Sequence, residues 1–127
     1  MKSIFDNIIY IFEYVDKPVI FVSKTGNELF LISLYEDNIK LEKWLRAPLD
    51  EDEFYLLQNS LLDFYSIFNK HKDDLKLVAI DTNNNFIESV PDPTFIKSIE
   101  KYIPKQGVLA ENLITIDNNY IYKELHR

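Results

Sequence analysis

From Tyr14 to Pro48 the chain reads YVDKPVIFVSKTGNELFLISLYEDNIKLEKWLRAP: two nearly unbroken apolar runs, then an alternating one. Val19, Ile20, Phe21 and Val22 are β-branched or aromatic, the types that suit a pleated surface. Pro18 lacks an N–H and so belongs at the first residue of a strand or on an edge. Lys24-Thr25-Gly26-Asn27 is turn chemistry, with Gly26 free to take a positive φ. Leu29 to Tyr35 is the partner strand, and Glu36-Asp37-Asn38 is the next turn. Leu41, Lys43, Leu45 and Ala47 then alternate with Glu42, Trp44, Arg46 and Pro48, a period of two. The stretch therefore predicts three antiparallel strands joined by two turns. Apolar runs this continuous predict a hairpin covered on both faces, one of them by helices.

Ahead of this stretch, Ile4, Ile8, Ile11 and Val15 fit one face of a helix, while Ile8 to Tyr14 also fits a strand. The wealth of Ile, Tyr and Phe, with a turn at Asp16-Lys17-Pro18, favours the strand. After it, Asp50 with Glu53 three residues on has the pattern of a capping box. Phe54, Leu57 and Leu61 share a helical face. Asn59-Ser60 is a break, after which Ser60 is placed to cap a second helix carrying Phe64, Tyr65 and Phe68. One helix or two remains open between Asp50 and Lys72. Leu75 to Ile80 and Phe86 to Val90 read as a hairpin around an Asx turn at Asp81. Asp92-Pro93 reads as a cap followed by proline at the first helical position. Leu113 to Ile116 and Tyr120 to Tyr122 are further strand candidates. The expected fold is α+β: one domain over residues 1–127, a mainly antiparallel sheet with two or three helices packed on one face.

Composition narrows the function. At 127 residues with 46% hydrophobic content, the chain is long and apolar enough for a core. A net charge of −7 argues against nucleic acid, whose phosphates need a basic patch, and suits a basic partner. There are no cysteines, so disulfides and thiolate metal sites are excluded. The apolar N-terminal run is interrupted by Asp6 and Glu13, unlike a signal peptide, and no run of about 20 apolar residues spans a membrane. A cytoplasmic protein is the expectation.

Several residues resemble a known pattern. Tyr14-Val15-Asp16-Lys17-Pro18-Val19-Ile20-Phe21, Leu29-Phe30-Leu31 and Lys43-Trp44-Leu45 with Pro48 resemble an uncharacterised bacterial domain family. In that family a Tyr-x-Asp-Gly-Pro-like opening leads into a short meander with a Trp-Leu pair. Ile103-Pro104-Lys105-Gln106-Gly107 resembles its Leu-Pro-x-x-Gly loop. The resemblance covers roughly residues 8–113 and departs at Lys17, where the family usually has glycine. It implies a fold and no activity. Small proteins of this look often occur near phage and bacterial-conflict genes, an association rather than a mechanism.

Catalytic chemistry finds little foothold. His71 and His126 are the only histidines and form no metal-binding pattern. His71 lies at a helix end, where free carbonyls attract it. No serine sits in a nucleophile elbow, and two glycines cannot build a phosphate cradle. Nothing implies a cofactor or a metal. The candidate binding residues are Trp44, Arg46, Glu51, Asp52, Tyr55 and Tyr65. Trp44 and Arg46 share one strand face, and both types are enriched at binding hot spots; the plainer reading covers the sheet with Trp44 and pairs Arg46 with an acid such as Glu42. Tyr55 and Tyr65 are placed to reach a partner's rim, and Glu51 and Asp52 lie in a first helical turn. The sequence reads as a small acidic non-enzymatic binding protein that inhibits or neutralises a macromolecule such as a toxin, nuclease or defence factor. One alternative is a binder of nucleotide-like small molecules with a pocket between protomers, using Arg46 as anion contact and Trp44 or a tyrosine as stacking wall. Another is an enzyme working through Glu51 and Asp52.

Overall fold

The computed structural model describes residues 4–113, and the front half of that span is strand. β1 (Ile8–Tyr14), β2 (Pro18–Thr25), β3 (Glu28–Asp37) and β4 (Leu41–Leu49) follow one another through short turns. Two helices come next, α1 (Glu51–Gln58) and α2 (Phe64–Lys70), before β5 (Lys76–Asp81) and β6 (Phe86–Ser89). A short α3 (Pro93–Lys97) and two single 3₁₀ turns complete the described chain. All six strands pair antiparallel in sequence order, β1 to β6. The fold is α+β. The strand candidates beyond Leu113 lie outside the described residues.

Two apolar clusters sit on the two faces of the sheet. Val22, Leu31 and Ala47 stand on one rung and join Leu45, Leu57, Phe64, Ile67 and Phe68 under the helices. Phe21, Ile32, Trp44 and Val78 form a second cluster on the other face, here the back face, joined by Phe5 from the turn before β1. Strands covered on both sides need apolar residues at successive positions, which is why β2 and β3 do not alternate. The covered hairpin expected from the sequence is therefore present. The strand choice for Ile8 to Tyr14 also stands: bulges within β1 let Ile8 and Ile11 reach the back face while Phe12 reaches the helices.

Residues 51–70 form two helices because Ser60, at φ +56°, reverses the chain. The Asp50 carboxylate accepts from the Glu53 N–H at 2.7 Å, and Glu53 returns a bond to the Asp50 N–H at 2.9 Å, completing the capping box. The second cap is Asp63 and not Ser60, since its carboxylate accepts from the Ser66 N–H at 2.9 Å. Leu61 leaves the helical face expected for it and is 66% exposed, because it follows the left-handed break. Turn chemistry elsewhere shifts by a residue or two. β3 runs on through Asp37, and Asn38 makes the turn, its side chain accepting from the N–H groups of Lys40 and Leu41. Asp81 and Asp92 hold the turn and the helix start foreseen for them.

At the β2–β3 turn Gly26 adopts φ +62°, between the paired residues Thr25 and Glu28. A two-residue hairpin loop takes glycine where φ must be positive. A Cβ added there would meet no atom within 4 Å beyond its chain neighbours, so a substitution meets only backbone strain. Gly26→Ala is expected to cost about 1–2 kcal/mol. Urea denaturation of the two forms checks it, and equal midpoints would refute the backbone argument. The turn before β2 has no glycine. Asp16 carries the positive φ, at +61°, and Lys17 reaches across to the carboxylates of Asp37 and Glu42.

Candidate functional site

The six candidate residues do not form one site. Trp44 and Arg46 lie on the back face of β4, whereas Glu51, Asp52, Tyr55 and Tyr65 belong to the two helices on the opposite side of the sheet. Trp44 is corrected from a surface residue to a core one. Its side chain is fully buried, with Leu34 and Val78 beside it on the same rung and Phe5 and Phe21 meeting its ring at 5.8 and 5.6 Å. Being central in the sheet, it is enclosed by strands on both sides. It cannot act as a stacking wall for a ligand. Its indole Nε1 has no hydrogen-bond partner among the described residues.

Arg46 remains accessible. Its partner is Glu88 on β6 at 2.6 Å and not Glu42, which Lys17 takes. Glu42 lies four residues along the same strand, roughly 13 Å away at strand rise. Glu88 stands diagonally across β5, because Trp44 pairs with Val78 and Val78 with Glu88. The guanidinium also lies over the Phe30 ring, 4.9 Å from its centroid, a cation–π contact. Arg46 faces a cavity of about 550 Å³ bounded by the turn before β1 and by strands from β2 to β6. Ser23, Phe30, Ile32, Val78, Phe86 and Glu88 contribute to its walls. This cavity lies within the single chain.

On the helix side, Glu51 and Asp52 are exposed in the first turn of α1, and Tyr55 is 60% exposed one turn later. Tyr65 does not project freely. Its hydroxyl donates to Glu100 at 2.9 Å, and this bond holds the phenol proton, raising its pKa. Glu53, foreseen only as a cap, collects three further contacts. Lys70 Nζ lies 3.1 Å and His71 Nε2 3.0 Å from its Oε2, with His71 also 3.2 Å from Oε1. The His71 backbone N–H donates to the Ile67 carbonyl at 3.1 Å, but its ring bonds the Glu53 carboxylate instead of helix carbonyls; a carboxylate only accepts, so Nε2 carries the proton. Burial pushes the Glu53 carboxyl up, but the Asp50 N–H, His71 and Lys70 outweigh it and hold the group below its ordinary value. Asp63 does a second task as well. It accepts from the Gly107 N–H at 2.6 Å and so ties the Ile103–Gly107 loop to α2.

The sequence did not single out β6. All four of its residues are exposed, with Phe86 at 37% and Ile87 at 61%, and Val90 just beyond it at 67%. Its outer edge pairs with no strand among the described residues. The available signal was the absence of any Lys or Arg between Leu77 and Ile96, against three acids, Asp81, Glu88 and Asp92. Among the described residues no three acidic, histidine or cysteine side chains gather as a metal site, and no helix is long and apolar enough to cross a membrane. The fold is an antiparallel α+β sheet protein whose last strand, β6, pairs on one side only among the described residues. No protein-family model, curated protein or solved structure matches the chain, so the resemblance at Tyr14–Phe21 and Ile103–Gly107 rests on those residues alone.

Proposed function

We propose that this is a non-enzymatic binding protein that accepts an extended basic segment of a protein partner along the free edge of β6, and thereby neutralises that partner. The exposure of β6 along its whole length carries the reading. An edge strand offers a row of backbone donors and acceptors, and a peptide that adds a strand satisfies them. Phe86 and Ile87 give the added strand an apolar neighbour on each face. Asp81, Glu88 and Asp92 make the surroundings acidic, and the net charge of −7 speeds encounter with a cation-rich partner. Acids elsewhere are occupied: Asp50 and Asp63 cap helices, Lys70 and His71 hold Glu53, and Lys17 holds Asp37 and Glu42. That supports binding over catalysis.

The test is affinity capture from the source organism with wild type, Ile87→Lys and a Glu51→Gln/Asp52→Asn/Tyr55→Ala variant. The expected result is one stoichiometric basic protein, lost at least tenfold with Ile87→Lys, retained by the α1 variant and protecting the amides of residues 86–89 from exchange. Loss with the α1 variant alone would move the contact to the helix side and end the edge reading. So would a wild-type dimer that Ile87→Lys dissociates, because the edge would then serve a second copy.

A further inference from the structure

Arg46 faces the back-face cavity with its hydrogen bonds incomplete. A guanidinium has five donors and needs acceptors for them. One Nη donates to Glu88 at 2.6 Å, but Nε is buried without a partner among the described residues. The cavity around it is built for a small molecule. Its volume of about 550 Å³ lies inside the usual range for ligand sites, roughly 300–1,000 Å³. Its walls are mixed: Phe30, Val78 and Phe86 are apolar, while the buried Ser23 adds a hydroxyl.

The charges choose the ligand class. Among the described residues of the lining, Arg46 is the cation and Glu88 and Asp6 are the acids. A plain anion would meet two carboxylates, and a plain cation would meet the guanidinium. A zwitterion meets an opposite charge at each end. Glu88 is half exposed on the edge strand, so its side chain turns aside without disturbing a backbone ladder.

We propose that this cavity binds a free apolar α-amino acid, its carboxylate on Arg46 and its ammonium on Glu88, inserted into the ion pair those two side chains make with each other. Phe30, Val78 and Phe86 receive the ligand's side chain. The carboxylate takes the Nη donor that Glu88 gives up, and both charges of the original pair stay matched. The inference shares Phe86 and Glu88 with the strand-addition reading but does not require it, since it uses their side chains on the back face of the sheet and not the outer backbone edge of β6.

Titration of the full chain with L-leucine and L-phenylalanine, followed by amide NMR shifts, tests it. L-Phenylalaninamide lacks the carboxylate and N-acetyl-L-phenylalanine lacks the ammonium. The expected result is saturable binding of a free amino acid, with shifts at Ser23, Phe30 and Val78, and at least tenfold weaker binding of both derivatives. Arg46→Gln should weaken binding at least tenfold. Glu88→Gln changes only an exposed side chain, and it should weaken binding several-fold even if Arg46→Gln fails to fold. No saturation by 10 mM (roughly the weak end of specific binding), equal affinity for either derivative, or unchanged affinity in Glu88→Gln would overturn the proposal.

Discussion

Phe64→Ala is expected to lower the free energy of unfolding by about 4 kcal/mol, the upper part of the range for a buried aromatic. Phe64 opens α2 and is fully buried. Its ring meets Phe12 of β1 at 5.1 Å, edge to face, and Phe12 in turn meets Tyr10 at 4.9 Å and Phe54 of α1 at 6.4 Å. Phe64 is thus the α2 member of an aromatic cluster, centred on Phe12, that joins the edge strand β1 to both helices. Removing it leaves a void that the sheet cannot close, since the strands on which it rests are fixed by their ladders. A domain of this size has roughly 5–15 kcal/mol in total, so the variant will be near its threshold at 37 °C. Urea denaturation followed by circular dichroism measures the change. A loss under about 1 kcal/mol would show that the helices are held to the sheet by something other than this cluster.

Glu53→Gln is expected to cost about 2 kcal/mol at pH 7, the value of hydrogen bonds to a charged group, and to remove part of the acid sensitivity. Its carboxylate has only 7% of its surface exposed and serves the Asp50 N–H, Lys70 and His71 together. The amide keeps an oxygen for the Asp50 N–H but forfeits the attraction of the two bases. The folded pKa lies below the ordinary 4.5, so the folded state holds the carboxylate more tightly in its charged form than the unfolded chain does. The stabilisation is accordingly complete above 4.5 and is lost as pH falls through the folded value. The gap between wild type and variant should be widest at neutral pH and close in acid. Asp63 and Asp81 also have lowered values, so the variant retains some acid sensitivity of its own. A gap that stays constant from pH 7 to roughly pH 3 would disprove the ionic origin of the effect.

Where the determining interaction is short-range, the sequence was a reliable guide. Asp50 with Glu53, and Asp92 ahead of Pro93, place a carboxylate three residues from the N–H it accepts, so the cap is complete within one helical turn. Gly26 and Asp81 shape their own turns in the same way. Ser60 shows where this guide fails. It was a reasonable cap by type, yet Asp63 competes for the same task and also receives the Gly107 N–H from 44 residues away. Arg46 shows it again. Its strand face followed from alternation, but its partner Glu88 lies 42 residues on and became a neighbour only when β5 and β6 joined the sheet.

By itself the amino-acid order determined the class of fold, the strands of the front meander, a helical insertion after them and the net charge, because each depends on residue type, spacing or a simple sum. Tertiary structure alone decided that Trp44 is core and Arg46 lines a cavity, that Glu53 is shared by Lys70 and His71, and that β6 pairs on one side only among the described residues. Those outcomes depend on which strands flank which, and side-chain alternation names the two faces of a strand without saying what will stand against either.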